Sequence, residues 1–132
     1  MSVGTWSVFR RPYNEEEVIK FVPVKPGVYL LWVNYKNGDW GCFYVGKGDT
    51  IRGRLLDHLK QEEENQCIKE KVGKKVCGFM WIEITTEEER TGVEKYLYDT
   101  LKPKPECNQN DPGGKPLPIT LLPTPPATAP SV

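Results

Sequence analysis

Three stretches of this 132-residue chain carry apolar residues at strand-like length. Val28 to Tyr35 reads as an almost unbroken run of branched and aromatic side chains, which fits a strand buried on at least one face. Asn37-Gly38 follows, the strongest short hairpin signal, and Trp40 to Val45 supplies the return strand. Val76 to Ile84 predicts a third strand. Around these, the apolar spacing turns helical. Asn14-Glu15-Glu16-Glu17 is a capping-box pattern opening a short helix to about Phe21, which Pro23 and Pro26 end. Thr50 is placed to cap a helix running to about Glu64. On it Ile51, Leu55, Leu56 and Leu59 share one stripe, with Arg54 and His58 stacked at its edge. A further short helix fits 66–72. Thr86-Glu87-Glu88-Glu89 then opens a last helix, its acids suited to the N-terminal dipole, with Val93, Leu97 and Leu101 as the apolar stripe before Pro103. Strands mixed with helices place the chain in the α+β class.

Composition changes the picture at the C-terminal end. Seven prolines fall after Asp111 and remove backbone donors, so 111–132 is expected to be a disordered tail. That leaves an N-terminal extension, 1–22, with the first helix, and a main domain, 23–110. A domain of this size holds one modest core and favours an open concave site over a deep enclosed one. Eighteen basic residues balance eighteen acidic ones, which counts against a tight nonspecific nucleic-acid binder. Yet Lys47, Arg52, Arg54, His58 and Lys60 cluster locally. Such a face on a neutral protein suits transient binding, or binding aided by a partner protein or a second copy in a homodimer. The four cysteines include no C-x-x-C pair and only one histidine accompanies them, so a structural zinc site is not expected. No apolar leader stretch and no membrane-length run is present. The expectation is free thiols in a cytoplasmic or nuclear protein, neither secreted nor membrane-bound.

Candidate chemistry concentrates between Gly27 and His58. Gly27-Val28-Tyr29 opens the first strand, and Tyr44-Val45-Gly46-Lys47 closes the second, so Tyr29 and Tyr44 lie on paired strands and are able to face one site. Arg54 and His58 follow. All these side chains can donate to phosphate, and some can move protons. Lys47 follows a strand and a glycine and precedes a helix, which suits an anion. Gly46-Lys47-Gly48 lacks the third glycine of a dinucleotide fingerprint and the spacing of a Walker loop, so a nucleotide cofactor is not implied. On the last helix Glu94 projects close to the apolar stripe, where a carboxylate is costly unless paired or metal-bound. An ion pair with Arg90, one turn earlier, is the bland alternative for it.

The order and spacing of these residues resembles the GIY-YIG nuclease family, over about residues 23–110, with valine for isoleucine in both signature words. The resemblance implies a small three-stranded antiparallel sheet flanked by helices. It also implies a metal-dependent endonuclease that hydrolyses DNA phosphodiester bonds with one divalent cation, Mg²⁺ or Mn²⁺. Tyr29 and Tyr44 match the signature tyrosines, Arg54 the catalytic arginine, and His58 a position held by histidine or tyrosine. Glu94 matches the metal-anchoring acid, and Asn108 a late asparagine expected, with Lys47 and Arg52, to help bind substrate. Either Tyr29 or His58 would prepare the attacking water. The competing readings are a catalytically weak nucleic-acid-binding module of the same fold and an interaction protein working through its proline-rich tail.

Overall fold

The computed structural model describes residues 3–35 and 38–119. Its elements are β1 (Val3–Trp6), α1 (Glu15–Phe21), β2 (Gly27–Asn34), β3 (Trp40–Gly48), α2 (Ile51–Asp57), α3 (Gln66–Lys74), β4 (Cys77–Ile84) and α4 (Glu87–Thr100). The strands form one antiparallel sheet in the order β1-β4-β2-β3. The three expected strands are all present. The N-terminal extension adds a fourth, β1, along the edge of β4, pairing Val3 with Ile84 and Trp6 with Ile82. Short, polar-flanked β1 carries too little pattern to be read as a strand alone, and it is β4 that supplies its pairing groups.

β2 lies centrally and is buried on both faces, which is why its sequence is nearly all apolar. Two cores result. On one face Tyr29, Leu31, Val33, Phe43, Phe79 and Trp81 pack under helix residues Val18, Ile51, Leu55 and Ile68. On the other, Val28, Leu30, Trp32, Cys42, Val45, Met80 and Ile82 pack under Val93 and Leu97 of α4. A β-bulge between the pairs Leu31↔Tyr44 and Trp32↔Cys42 leaves Phe43 as an extra residue. Strict alternation would send Phe43 and Tyr44 to opposite faces; the bulge lets both join the first. The hairpin tip includes Gly38 at a φ of 90°, where a side chain would be strained. Its expected partner Asn37 lies outside the described residues.

The helix caps follow the sequence in part. Asn14 Oδ1 accepts from Glu17 N at 2.8 Å and starts α1. Thr86 Oγ1 accepts from Glu89 N at 3.3 Å and starts α4. Thr50 sits at the N-cap of α2, but its side chain makes no cap hydrogen bond. The expected span of α2 to Glu64 is also corrected: the helix stops at Asp57. Beyond it the chain turns through three-residue bonds, Leu59 N to Leu56 O, Lys60 N to Asp57 O and Glu63 N to Lys60 O. Tighter turning brings the acidic run back toward the helix instead of carrying it away along the axis.

The expectation of four free thiols is corrected as well. Cys67 and Cys107 form a disulfide, joining the start of α3 to the loop after α4 across 40 residues of sequence. Nothing in a spacing of that length marks a pair; only folding brings the two segments together. Cys42 and Cys77 are free and buried, and burial pushes both thiols up to about 12. Of the segment expected as a tail, 120–132 lies outside the described residues. Residues 111–119 form neither helix nor strand but run along α4. Leu117 N donates to Gly92 O at 2.9 Å, Asp111 pairs with Lys95 at 2.7 Å, and Leu117 and Ile119 pack against the second core.

Candidate active site

The site is built on the Gly46–Gly48 end of β3. Tyr29 pairs across the strands with Gly46, and its ring lies flat against that glycine: a Cβ there would meet Tyr29 Cζ and Oη at 2.3 Å. A Cβ on Gly48 would meet Arg54 Cγ at 2.5 Å. Gly46 and Gly48 point to one face of the strand, so together they make the floor over which Tyr29 and the Arg54 stem approach the backbone. These glycines hold no phosphate loop. They make room for two side chains.

Tyr29 is fully buried, and its Oη lies 2.7 Å from His58 Nε2. His58 Nδ1 lies 3.2 Å from Glu63 Oε2. A carboxylate only accepts, which assigns the ring hydrogen to Nδ1 and leaves Nε2 to accept from the Tyr29 hydroxyl. Tyr44 closes the cluster, with its ring 5.1 Å from the His58 ring at an edge and 6.2 Å from that of Tyr29. Burial pushes the Tyr29 hydroxyl well above its ordinary pKa, reinforced by Tyr44 and opposed by Arg54. Tyr44 is raised for the same first reason. Burial lowers His58, with Glu63 opposing. At neutral pH the cluster therefore holds protonated phenols beside a neutral imidazole able to accept. Arg54, at the half-exposed edge, has its already high pKa raised further, chiefly by Tyr29, so its guanidinium stays charged, and its head reaches Asp57 at 3.8 Å. A cleft of about 410 Å³ opens beside the cluster, lined by Tyr44, Arg54, His58, Glu63 and Asn65 among others.

Glu94 comes from α4. The ion pair with Arg90 does not form: Arg90 is buried, donates to Ile84 O and Thr85 O, and pairs with Asp49 at 2.8 Å. Glu94 is half-buried, and among the described residues its carboxylate has no hydrogen bond or ion pair. Burial raises its pKa, and Lys47 is the cation that opposes this. Lys47 Nζ itself donates to Thr91 Oγ1 at 3.0 Å, one turn before Glu94 on α4. A desolvated carboxylate with open lone pairs is a hard-oxygen donor and fits a divalent cation. No group of three or more ligating side chains occurs among the described residues, so a cation at Glu94 would keep mostly water ligands.

Tyr29, Tyr44, Arg54 and His58 are thus brought into one cluster; Glu94 acts electrostatically on the two tyrosines from α4, and Lys47 of β3 acts on Glu94. Two expected residues are engaged elsewhere. Arg52 Nε donates to Val22 O at 2.7 Å and ties α2 to the end of α1. Asn108 spans Val45, accepting from its N and donating to its O, each at 2.9 Å, and so satisfies the edge of β3. The sequence does not distinguish Glu63. It stands in a run of three glutamates that reads as a solvated surface, and only the turn after α2 separates it from its neighbours.

Residues 25–108 match the family model of the GIY-YIG catalytic domain, and the chain belongs to that family. It is similar to UvrABC system protein C of Synechococcus sp. (strain CC9902), 26% identical over 102 residues that cover 77% of this chain and 15% of that protein. The counterpart from Aquifex aeolicus (strain VF5) is 33% identical over 103 residues, 77% of this chain and 17% of that protein. Excinuclease cho of Shigella flexneri is 28% identical over 64 residues, 48% of this chain and 21% of that protein. The chain thus spans about a sixth of the length of the first two relatives. No solved structure matches significantly. The matched region is thus the catalytic domain of the GIY-YIG nuclease superfamily.

Proposed function

We propose that this chain is an endonuclease that hydrolyses DNA phosphodiester bonds with the help of one divalent cation. The observation that carries this reading is the buried Tyr29–His58 contact of 2.7 Å beside Arg54, with Glu94 unpaired on the adjoining helix. Glu94 would hold the cation, Mg²⁺ or Mn²⁺, which supplies Lewis-acid stabilisation of the leaving oxygen.

The remaining work falls to side chains of this chain. Tyr29 and His58 act as a unit. The Tyr29 oxygen takes the proton of the attacking water while the Tyr29 proton passes to His58 Nε2. A lone phenolate would be a poor resting base here, because burial raises the Tyr29 pKa. The neutral imidazole removes that difficulty. Arg54 neutralises charge gathering on the phosphate, and Lys47, which keeps two ammonium hydrogens beyond its bond to Thr91, supports it. Net neutrality of the chain leaves target choice to DNA shape, a second copy or a targeting partner.

Incubation with supercoiled plasmid and Mg²⁺ or Mn²⁺, beside Glu94→Ala, tests the proposal. Nicking by wild type alone is expected. Absence of cleavage on plasmid, branched and damaged DNA alike would overturn it.

A further inference from the structure

The acidic run 62–64 divides on folding. Glu62 and Glu64 are exposed, whereas the Glu63 side chain is only 12% exposed and turns inward to His58. Both its oxygens are used: Oε2 faces His58 Nδ1 at 3.2 Å, and Oε1 accepts from Asn65 N at 3.0 Å. Asn65 is anchored in turn. Its Oδ1 caps α3 by accepting from Ile68 N, and its Nδ2 donates to Cys107 O at 2.9 Å. Cys107 is bonded to Cys67 in the first turn of α3. A carboxylate held by a helix cap and a covalent cross-link is fixed in place rather than sampling solvent.

We infer that Glu63 is a positioning residue of the proton relay, holding His58 with its hydrogen on Nδ1 so that Nε2 faces the Tyr29 hydroxyl. This rests on the hydrolytic reading above and extends it by a third member. The groups facing His58 are Tyr29 from β2, Tyr44 from β3, Arg54 and Asp57 from α2, and Glu63 from the following turn. Of these, Glu63 alone reaches Nδ1 with an acceptor. The step balances as follows. Water loses one proton to the Tyr29 oxygen, Tyr29 passes its own to Nε2, and His58 becomes an imidazolium against the Glu63 carboxylate. The new phosphorus–oxygen bond forms as the bond to the leaving oxygen breaks. That oxygen takes a proton from solvent, and the imidazolium returns one to solvent. Without Glu63 the neutral ring is free to carry its hydrogen on Nε2, where it blocks the relay, and the imidazolium loses its counter-charge.

The test uses the full chain with Glu63→Gln and Glu63→Ala, and Glu70→Gln on exposed α3 as a control. The expected result is a fall in kcat of about 10–100-fold for both Glu63 variants, with KM little changed. The acid limb of the pH–rate profile moves to lower pH, because His58 loses the carboxylate that favours its protonation. Imaging of the His58 ring nitrogens by ¹⁵N NMR supplies a readout apart from activity: the hydrogen sits on Nδ1 in wild type and shifts toward Nε2 in Glu63→Ala. Wild-type kcat and an unmoved acid limb in both variants, or an Nε2–H ring in the wild type, would overturn the inference. Should wild type cleave nothing while the ring hydrogen still shifts, the hydrolytic reading fails and the positioning of His58 by Glu63 stands.

Discussion

Gly46→Ala puts one methyl group where the structure has least room for it. The added Cβ would lie 2.3 Å from both Cζ and Oη of Tyr29, and 2.8 Å from Cε2. Ordinary carbon contact begins near 3.4 Å, so ring and strand must separate by about 1 Å. Tyr29 is fully buried between strands and helices and cannot swing into solvent. It must instead shift against His58, whose Nε2 is already at 2.7 Å. Overpacking of this kind costs about 1–3 kcal/mol of stability. A misplacement of about 1 Å in a reacting group costs on the order of 10²-fold in rate. Gly46→Ala should therefore lower the stability measured by denaturant unfolding by about 2 kcal/mol. It should lower plasmid nicking by about 100-fold under conditions where the protein stays folded. Gly73→Ala, in α3 with nothing within 4 Å of the added Cβ, is the matched control. It should retain nicking and gain up to ~1 kcal/mol from helix propensity. Full nicking by Gly46→Ala, with stability inside 0.5 kcal/mol of wild type (about the spread of neutral surface changes), would refute the claim that this glycine sets the position of Tyr29.

Three further outcomes are expected. Glu94→Gln should lower nicking by at least ~10²-fold, since several kcal/mol of leaving-group stabilisation goes with the cation. It should also raise the Tm of the metal-free protein at neutral pH. The Glu94 pKa is raised in the fold, so its contribution is most favourable below about 4.5 and is lost as pH rises through the folded value. The Tm difference should therefore vanish as pH falls to 4, and calorimetry across pH 4–8 checks it. Cys67→Ser opens a cross-link spanning 40 residues, which loop-closure entropy sets at about 4 kcal/mol as an upper figure. Denaturant midpoints with and without reductant should converge in that variant and differ in wild type. Asn108→Ala removes both side-chain bonds to Val45 and should cost about 1–3 kcal/mol. Faster hydrogen exchange at the Val45 amide would show the loss to be local.

Most of the fold was legible because its signals are local. The capping side chains of Asn14 and Thr86, the unbroken apolar run of β2 and the helical spacing of Val93 and Leu97 each show within a few residues. β1 was not legible, since its pairing groups belong to β4 nearly eighty residues away. The early end of α2 was missed for a related reason. Leu56 and Leu59 continue the apolar stripe, and the turn that carries Glu63 back to His58 and Asn65 is visible only in the packed structure.

For the site, residue types and order along the chain determined the inventory: two tyrosines on one hairpin, Arg54 and His58 four apart, and Glu94 at the edge of an apolar stripe. Types and spacing carry that much because strand and helix periods are short and regular. Which partner each side chain takes was decided by the tertiary structure alone. It turned Arg90 to Asp49 and left Glu94 open, took Arg52 to Val22, joined Cys67 to Cys107, and selected Glu63 from three consecutive glutamates to face His58. Hydrogen bonds and ion pairs act over about 3–4 Å, and distances that small between residues far apart in sequence exist only once the strands and helices have packed.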